Sequence, residues 1–223
     1  MDAINTILAR AIEKHQKQEL AEASMLYEEV LSLAPDHTDA LNLQGLTFAQ
    51  LGKPELALKL IGKAIVLNPI DSTAHNNLGI ALDSLSQYPE AIISYEKALA
   101  INPAYSQAFY NAGNAYMSMG QIDRAINQYE QAITIDPAYF QAHLNLGIAF
   151  YELGQPQLAI TSFNIVVEIN PSYALTYWNR GLAWESLGQL DFALGDFDQA
   201  LLLDSGNHDF LSARARILQK KSK

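Results

Sequence analysis

The chain has 223 residues, 49% of them hydrophobic and none of them cysteine, with 14 Lys and Arg against 24 Asp and Glu for a formal charge of -10. The apolar content suffices for a sizeable core, the charge has the wrong sign for neutralising phosphates and so excludes nucleic acid, and the lack of cysteine excludes disulfides, thiolate metal sites and cysteine nucleophiles. There is no basic-then-apolar leader and no apolar run near the roughly 20 residues that cross a bilayer, so the expectation is a soluble cytoplasmic protein without membrane association.

Along the chain, Pro35, Pro69, Pro103, Pro137 and Pro171 recur every 34 residues. Gly45, Gly79, Gly113, Gly147 and Gly181 keep the same period, as do Ala23, Ala57, Ala91, Ala125, Ala159 and Ala193. Gly52, Gly120, Gly154 and Gly188 follow it too, with Ser86 as the exception. Such self-similarity marks a repeat array. Within one repeat, Ala74, Leu78, Ala81, Leu82 and Leu85 fall at helical spacing, followed by Ala91, Ile92, Tyr95, Ala98 and Leu99. Two amphipathic helices are predicted, with Pro89 in the first turn of the second and Asn102-Pro103 closing it. The repeating glycine and alanine are explained by close helix approach, where a bulky side chain would hold the pair apart.

These residues resemble the 34-residue tetratricopeptide repeat, with Phe48, Leu82, Tyr116, Phe150 and Trp184 in the first helices and Tyr27, Tyr95, Tyr129, Phe163 and Phe197 in the second. The resemblance covers essentially the whole chain. It implies an all-α fold, a right-handed superhelical solenoid forming a single domain over 1–223, with repeats 4–37, 38–71, 72–105, 106–139, 140–173 and 174–207. Departures gather at the ends. Ala11 stands where the others have Gly, Ser205 where they have Pro, and residues 208–220 place Leu211, Ala215 and Leu218 in phase with a further first helix, read as a C-terminal capping helix. Arg214, Arg216, Lys220, Lys221 and Lys223 crowd the last ten positions, while Ala64 to Ala213 holds only Lys97, Arg124 and Arg180 against 15 acids. A solvated helix end suits such cations.

Catalytic patterns are missing. There is no nucleophile elbow and no dinucleotide fingerprint, and Gly62-Lys63 is followed by Ala64 without the glycine that a phosphate loop needs. His75 and His143 share a repeat position two repeats apart, too far to share a zinc ion. Asp196 and Asp198 read as a solvated face. The reading is of a non-enzymatic protein with no cofactor and no metal.

Off the packing stripe of the first helices, Asn77, Asn111, Asn145 and Asn179 recur at the sixth place of their repeats, with Asn76 adjacent to Asn77 and Asn114 one turn beyond Asn111. In the tetratricopeptide family this place lies on the concave face, so the resemblance implies an asparagine ladder along a groove, either contacting a peptide through its amides or bonding neighbouring helices. Tyr110, Leu144, Ile148, Tyr151, Leu175, Trp178 and Leu182 occupy the other groove places, and Trp178 is the expected exposed anchor. The Lys and Arg of a carboxylate clamp are missing beside the asparagines, which favours an extended segment with apolar and basic side chains as the partner. The expected function is a protein-interaction scaffold binding a peptide in the groove. The alternatives are a substrate-guiding array resembling those that precede catalytic domains in bacterial relatives of O-linked N-acetylglucosamine transferases, and homo-oligomerisation through the repeat ends.

Overall fold

The structure, a computed structural model, describes residues 2–222. Among them are thirteen α-helices and no strand: α1 (Asp2–Gln16), α2 (Leu20–Leu33), α3 (Thr38–Gln50), α4 (Pro54–Leu67), α5 (Ser72–Asp83), α6 (Tyr88–Ile101), α7 (Ser106–Ser118), α8 (Ile122–Ile135), α9 (Phe140–Glu152), α10 (Pro156–Ile169), α11 (Ala174–Ser186), α12 (Leu190–Leu203) and α13 (His208–Lys221). The chain divides between Met119 and Gly120 into an N-terminal and a C-terminal unit. In each unit a helix packs on the one before it and the one after it, and first helices also touch across repeats, α3 on α5, α5 on α7 and α9 on α11. No helix of the described residues is long and apolar enough to cross a membrane.

The repeating small residues sit at the closest approach of each pair. A Cβ built on Gly79 would lie 2.3 Å from the Tyr95 ring, one on Gly147 2.5 Å from Phe163 and one on Gly181 2.6 Å from Phe197. The ring is flanked along its own helix by small or branched residues, as in Ala91, Tyr95, Ala98 and in Ala159, Phe163, Val166, all completely buried. A ring filling the hollow over a glycine gives dense packing at short interaxial distance.

Between the helices of a pair the chain reverses through one left-handed residue. Within the two units Gly52, Gly154 and Gly188 have φ of 71 to 73°, a conformation glycine adopts without a Cβ penalty. Ser86 holds the same place at φ 58°, and so does Gln18 at φ 61°. The glycine period therefore extends one repeat further towards the N-terminus than the glycines themselves show. The proline loops are tied back by the fourth residue of the following helix: His75 Nε2 donates to the Pro69 carbonyl (3.0 Å), His143 Nε2 to Pro137 (3.0 Å) and the Tyr177 hydroxyl to Pro171 (2.9 Å). Both histidines are thus loop ties.

Two substitutions test the two backbone constraints. Gly79→Ala should overpack the Tyr95 contact and cost about 1–3 kcal/mol, whereas Ser86→Gly should relieve a strained turn and stabilise by about 1 kcal/mol. Thermal or denaturant midpoints moving in opposite directions are expected; a stabilising Gly79→Ala would remove the close approach from the account.

Candidate peptide-binding face

In the N-terminal unit the groove asparagines form an interhelical chain. Thr73 donates to Asp71 (2.6 Å), the N-cap of α5, and accepts from Asn42 of α3 (3.1 Å). Asn42 in turn accepts from Asn77 (3.0 Å), Asn77 from Asn76 (3.4 Å), and Asn76 from Asn111 of α7 (3.0 Å). Asn76 and Asn77 are 1% and 5% exposed. Their amides join α3, α5 and α7, which is the second of the two roles that the sequence leaves open, and they are withdrawn from solvent. The rule is positional: an asparagine at the fifth place of one repeat pairs with one at the sixth place of the next, 35 residues on. Asn42 was not among the expected residues, although it stands 34 residues before Asn76. Tyr110, Asn111 and Asn114 are partly buried on α7, and Tyr110 and Asn114 are engaged like Asn111.

Beside this chain Asp83 accepts the Tyr95 hydroxyl at 2.5 Å, and its other carboxylate oxygen is shielded without a hydrogen-bond partner. Burial pushes the Asp83 carboxyl up to about 6, against the Tyr95 bond that lowers it. The same two places hold His15 and Tyr27 in the first repeat, 3.4 Å apart, and burial lowers the His15 pKa.

The C-terminal unit differs. Asn145 and Ile148 are partly buried on α9 and Tyr151 is 36% exposed, while Leu144 is buried at 8%. On α11, Leu175 is 41% exposed, and Asn179 and Leu182 are partly exposed. Thirty-five residues before Asn179 stands Leu144, which offers no amide, and Asn179 donates instead to the Leu175 carbonyl of its own helix at 2.9 Å. Tyr151 on α9 and Leu175 on α11 are thus the exposed apolar side chains among these places, while Ile148 and Leu182 pack partly on the core.

Trp178 departs from the expectation of an exposed anchor. Its ring lies 6.0 Å from that of Phe210 on α13, tilted by 35°, and its Nε1 is shielded without an acceptor. The capping helix covers it, because Phe210, Ala213 and Ile217 turn inward and are buried. Trp184 is likewise partly buried; it stacks on Phe192 at 4.9 Å and lines a cavity of about 400 Å³ with Ile160 and Leu187.

The basic tail is folded back onto acids. Arg214 pairs with Asp198 (2.5 Å), Arg216 and Lys220 with Glu185 (2.5 and 2.7 Å), and Lys221 with Asp191. The Arg216 guanidinium, through its hydrogen bond, holds the Glu185 carboxyl below its ordinary range. Asp196 is not on a solvated face: it is buried and takes a bidentate bond from Arg180 (2.8 and 2.7 Å), whose third nitrogen reaches Asn164 (2.7 Å). Among the described residues no three His, Cys, Asp or Glu side chains converge as metal ligands.

Sequence models of the repeat match four stretches, as TPR repeat over residues 81–120 and 113–154 and as tetratricopeptide repeat over 8–69 and 141–173. The solved structure of MamA is 30% identical, with 72% of this chain and 94% of that one covered and a TM-score of 0.62. The chain belongs to the tetratricopeptide repeat family. Two further structures share the fold of these tetratricopeptide repeats at lower identity. PilF of Pseudomonas aeruginosa matches at 18% identity, with 96% of this chain and 98% of that one covered and a TM-score of 0.82. YrrB, a TPR protein with an unusual peptide-binding site, matches at 20% identity, with coverage of 88% and 98% and a TM-score of 0.67. No curated protein matches the chain. The likeness to arrays preceding transferase domains stays an expectation of the sequence alone.

The two asparagine environments should respond differently to truncation. Asn77→Ala removes a donor from buried amides and should cost about 1–3 kcal/mol, whereas Asn179→Ala should change stability by less than about 0.5 kcal/mol. Equal losses in denaturant unfolding would contradict the interhelical chain. A second test uses pH. Because the folded pKa of Asp83 is raised, its contribution to stability is fully present below about pH 4 and lost as pH rises through about 6. Asp83→Asn keeps an acceptor for Tyr95, so the variant should be the more stable at pH 8, by up to about 1 kcal/mol given the partial exposure of the group, and equal to wild type below pH 4. A gap independent of pH would show that the carboxylate is well solvated.

Proposed function

We propose that this tetratricopeptide array is a non-enzymatic interaction scaffold and that an extended segment of another protein lies across α9 and α11 of the C-terminal unit. The supporting observation is the exposure of Tyr151 on α9 and Leu175 on α11, with Ile148 and Leu182 partly exposed on the same two helices. Exposed apolar side chains beside polar groups suit a partner better than water. Asn145 and Asn179 lie on the same two helices, and an amide can pair with the N–H and C=O of a peptide backbone whatever its side chains. The Glu185, Arg216 and Lys220 cluster borders α11 on the side of α13. On this reading Trp178 supports the face from beneath, as a residue packed on Phe210. Asn76, Asn77 and Asn111 hold the first helices of the N-terminal unit in register, and Tyr110 and Asn114 lie beside them. The peptide-binding site of YrrB occurs on the same fold and agrees with this use.

The reading is tested by selecting binders from a displayed library of random peptides, with a Tyr151→Asp/Leu175→Asp variant, both sites exposed, as counter-target. Peptides enriched on the wild-type chain should carry apolar side chains and bind the variant at least tenfold more weakly, about 1.4 kcal/mol, with the helical circular dichroism of the variant unchanged. Enriched peptides that bind both proteins equally would place the site elsewhere.

A further inference from the structure

The 35-residue pairing that joins the groove asparagines recurs further along the first helices with charged groups. Glu185, at the twelfth place of its repeat on α11, accepts from Lys220 on α13, 35 residues on and at the thirteenth place, at 2.7 Å. The Glu185 side chain is only 10% exposed, so the ammonium fills this junction and neutralises it. One repeat earlier the same two places hold Tyr151 on α9 and Ser186 on α11. Ser186 is too short to cross, and its hydroxyl donates to the Ala183 carbonyl of its own helix (2.8 Å). A cavity of about 460 Å³ is left at the junction, lined by Tyr151, Glu152, Gly154, Pro156 and Ser186.

The lining has the chemistry of a cation site. Glu152 supplies an exposed carboxylate. It is the last residue of α9, as Ser186 is of α11, so the negative ends of two helix dipoles open onto the cavity. The Tyr151 ring adds an aromatic surface on which an ammonium or guanidinium can rest. No cation of this part of the chain satisfies Glu152. Helices α9, α10 and α12 carry no Lys or Arg, and Arg180, Arg214, Arg216, Lys220 and Lys221 are spent on Asp196, Asp198, Glu185 and Asp191. Arg216 acts on Tyr151 through its field, but two bonds to Glu185 (2.8 and 2.5 Å) neutralise it.

We propose that this cavity receives a lysine or arginine side chain of the segment lying across α9 and α11, the partner supplying here the cation that Lys220 supplies within the chain at the next junction. The inference rests on the peptide face proposed above and adds a charge requirement to it. The apolar stem of the basic side chain packs along Tyr151 and Pro156 while its head meets Glu152.

Two measurements separate the cavity from the face. The chain has no cysteine, so Ser186→Cys carries the only thiol, and its equilibria with cystamine and with bis(2-hydroxyethyl) disulfide compare an ammonium with a neutral group of similar size in the cavity. The aminoethyl adduct should be favoured by about threefold or more at physiological ionic strength, where only nearby charge acts, and Glu152→Gln should abolish the preference. In the second measurement, the consensus peptide of library binders that are lost on Tyr151→Asp/Leu175→Asp is titrated by fluorescence anisotropy, both intact and with its basic residue replaced by norleucine. The intact peptide should bind the wild-type chain at least tenfold more tightly. Ser186→Lys, which fills the cavity from within the chain, should weaken the intact peptide tenfold or more and leave the norleucine form unchanged, with circular dichroism reporting the fold of each variant. Binders that need Tyr151 and Leu175 yet carry no basic residue, or whose basic residue is indifferent to both Glu152→Gln and Ser186→Lys, would overturn the cavity and leave the face standing. An aminoethyl preference that survives Glu152→Gln would overturn it too, since the preference would then belong to the acidic chain as a whole. No binder, or binders indifferent to Tyr151→Asp/Leu175→Asp, would overturn the face and this occupant with it.

Discussion

The contact on which the rest of the structure depends is the one between a small residue on the first helix and a large side chain on the second. Gly79 under Tyr95, Gly147 under Phe163 and Gly181 under Phe197 leave no room for a Cβ. Gly45 under Ile61 shows that the hollow accepts an aliphatic group as well. Once this distance is set, the alanines flanking the large side chain are required on the same grounds, and the turn between the helices must reverse within a few residues. A left-handed residue achieves that reversal at Gly52, Ser86, Gly154 and Gly188. Donors at the fourth place then tie the preceding proline loop to its helix. The exposed faces are what these contacts leave over.

This hierarchy explains what the sequence makes legible. Close-packed positions tolerate few residue types, so glycine, alanine and the ring recur in phase and the helix pairs can be read directly. Gln18 hides the same turn because its backbone conformation, and not its side chain, is the repeating property. Asp196 was misread for a related reason: charge suggests surface, but Arg180 at an inward place supplies two hydrogen bonds to the carboxylate and leaves little of either side chain exposed. A buried charge with a bidentate partner is tolerable, and one without it is not. Here the informative signal was the basic residue out of place among acids. The basic tail follows the same logic, since each of its described cations finds an acid on α11 or α12.

The candidate face was the least legible part, because one residue type serves two ends. Asparagine recurs at the sixth place in four repeats, yet what its amide does is decided by the fifth place of the repeat before. Where that residue is Asn42 or Asn76, two amides satisfy each other between helices and the face becomes a polar seam. Where it is Leu144, no such partner exists. Asn179 then turns to its own helix, and the surrounding surface is apolar. Pairwise spacing of 35 residues carries this distinction, while the 34-residue period conceals it by making all four asparagines look alike.

Trp178 shows the complementary limit. Its place in the repeat marks it as a groove residue, and large aromatic side chains at such places commonly anchor partners. Its surroundings are nevertheless set by Phe210 on α13, a helix outside its own repeat. Packing one face of α13 on α12 partly covers the tryptophan and turns Leu211, Ala215 and Leu218 outward. One packing choice thus covers part of an apolar residue at the peptide face and presents three others elsewhere, so apolar surface is redistributed towards the end of the C-terminal unit.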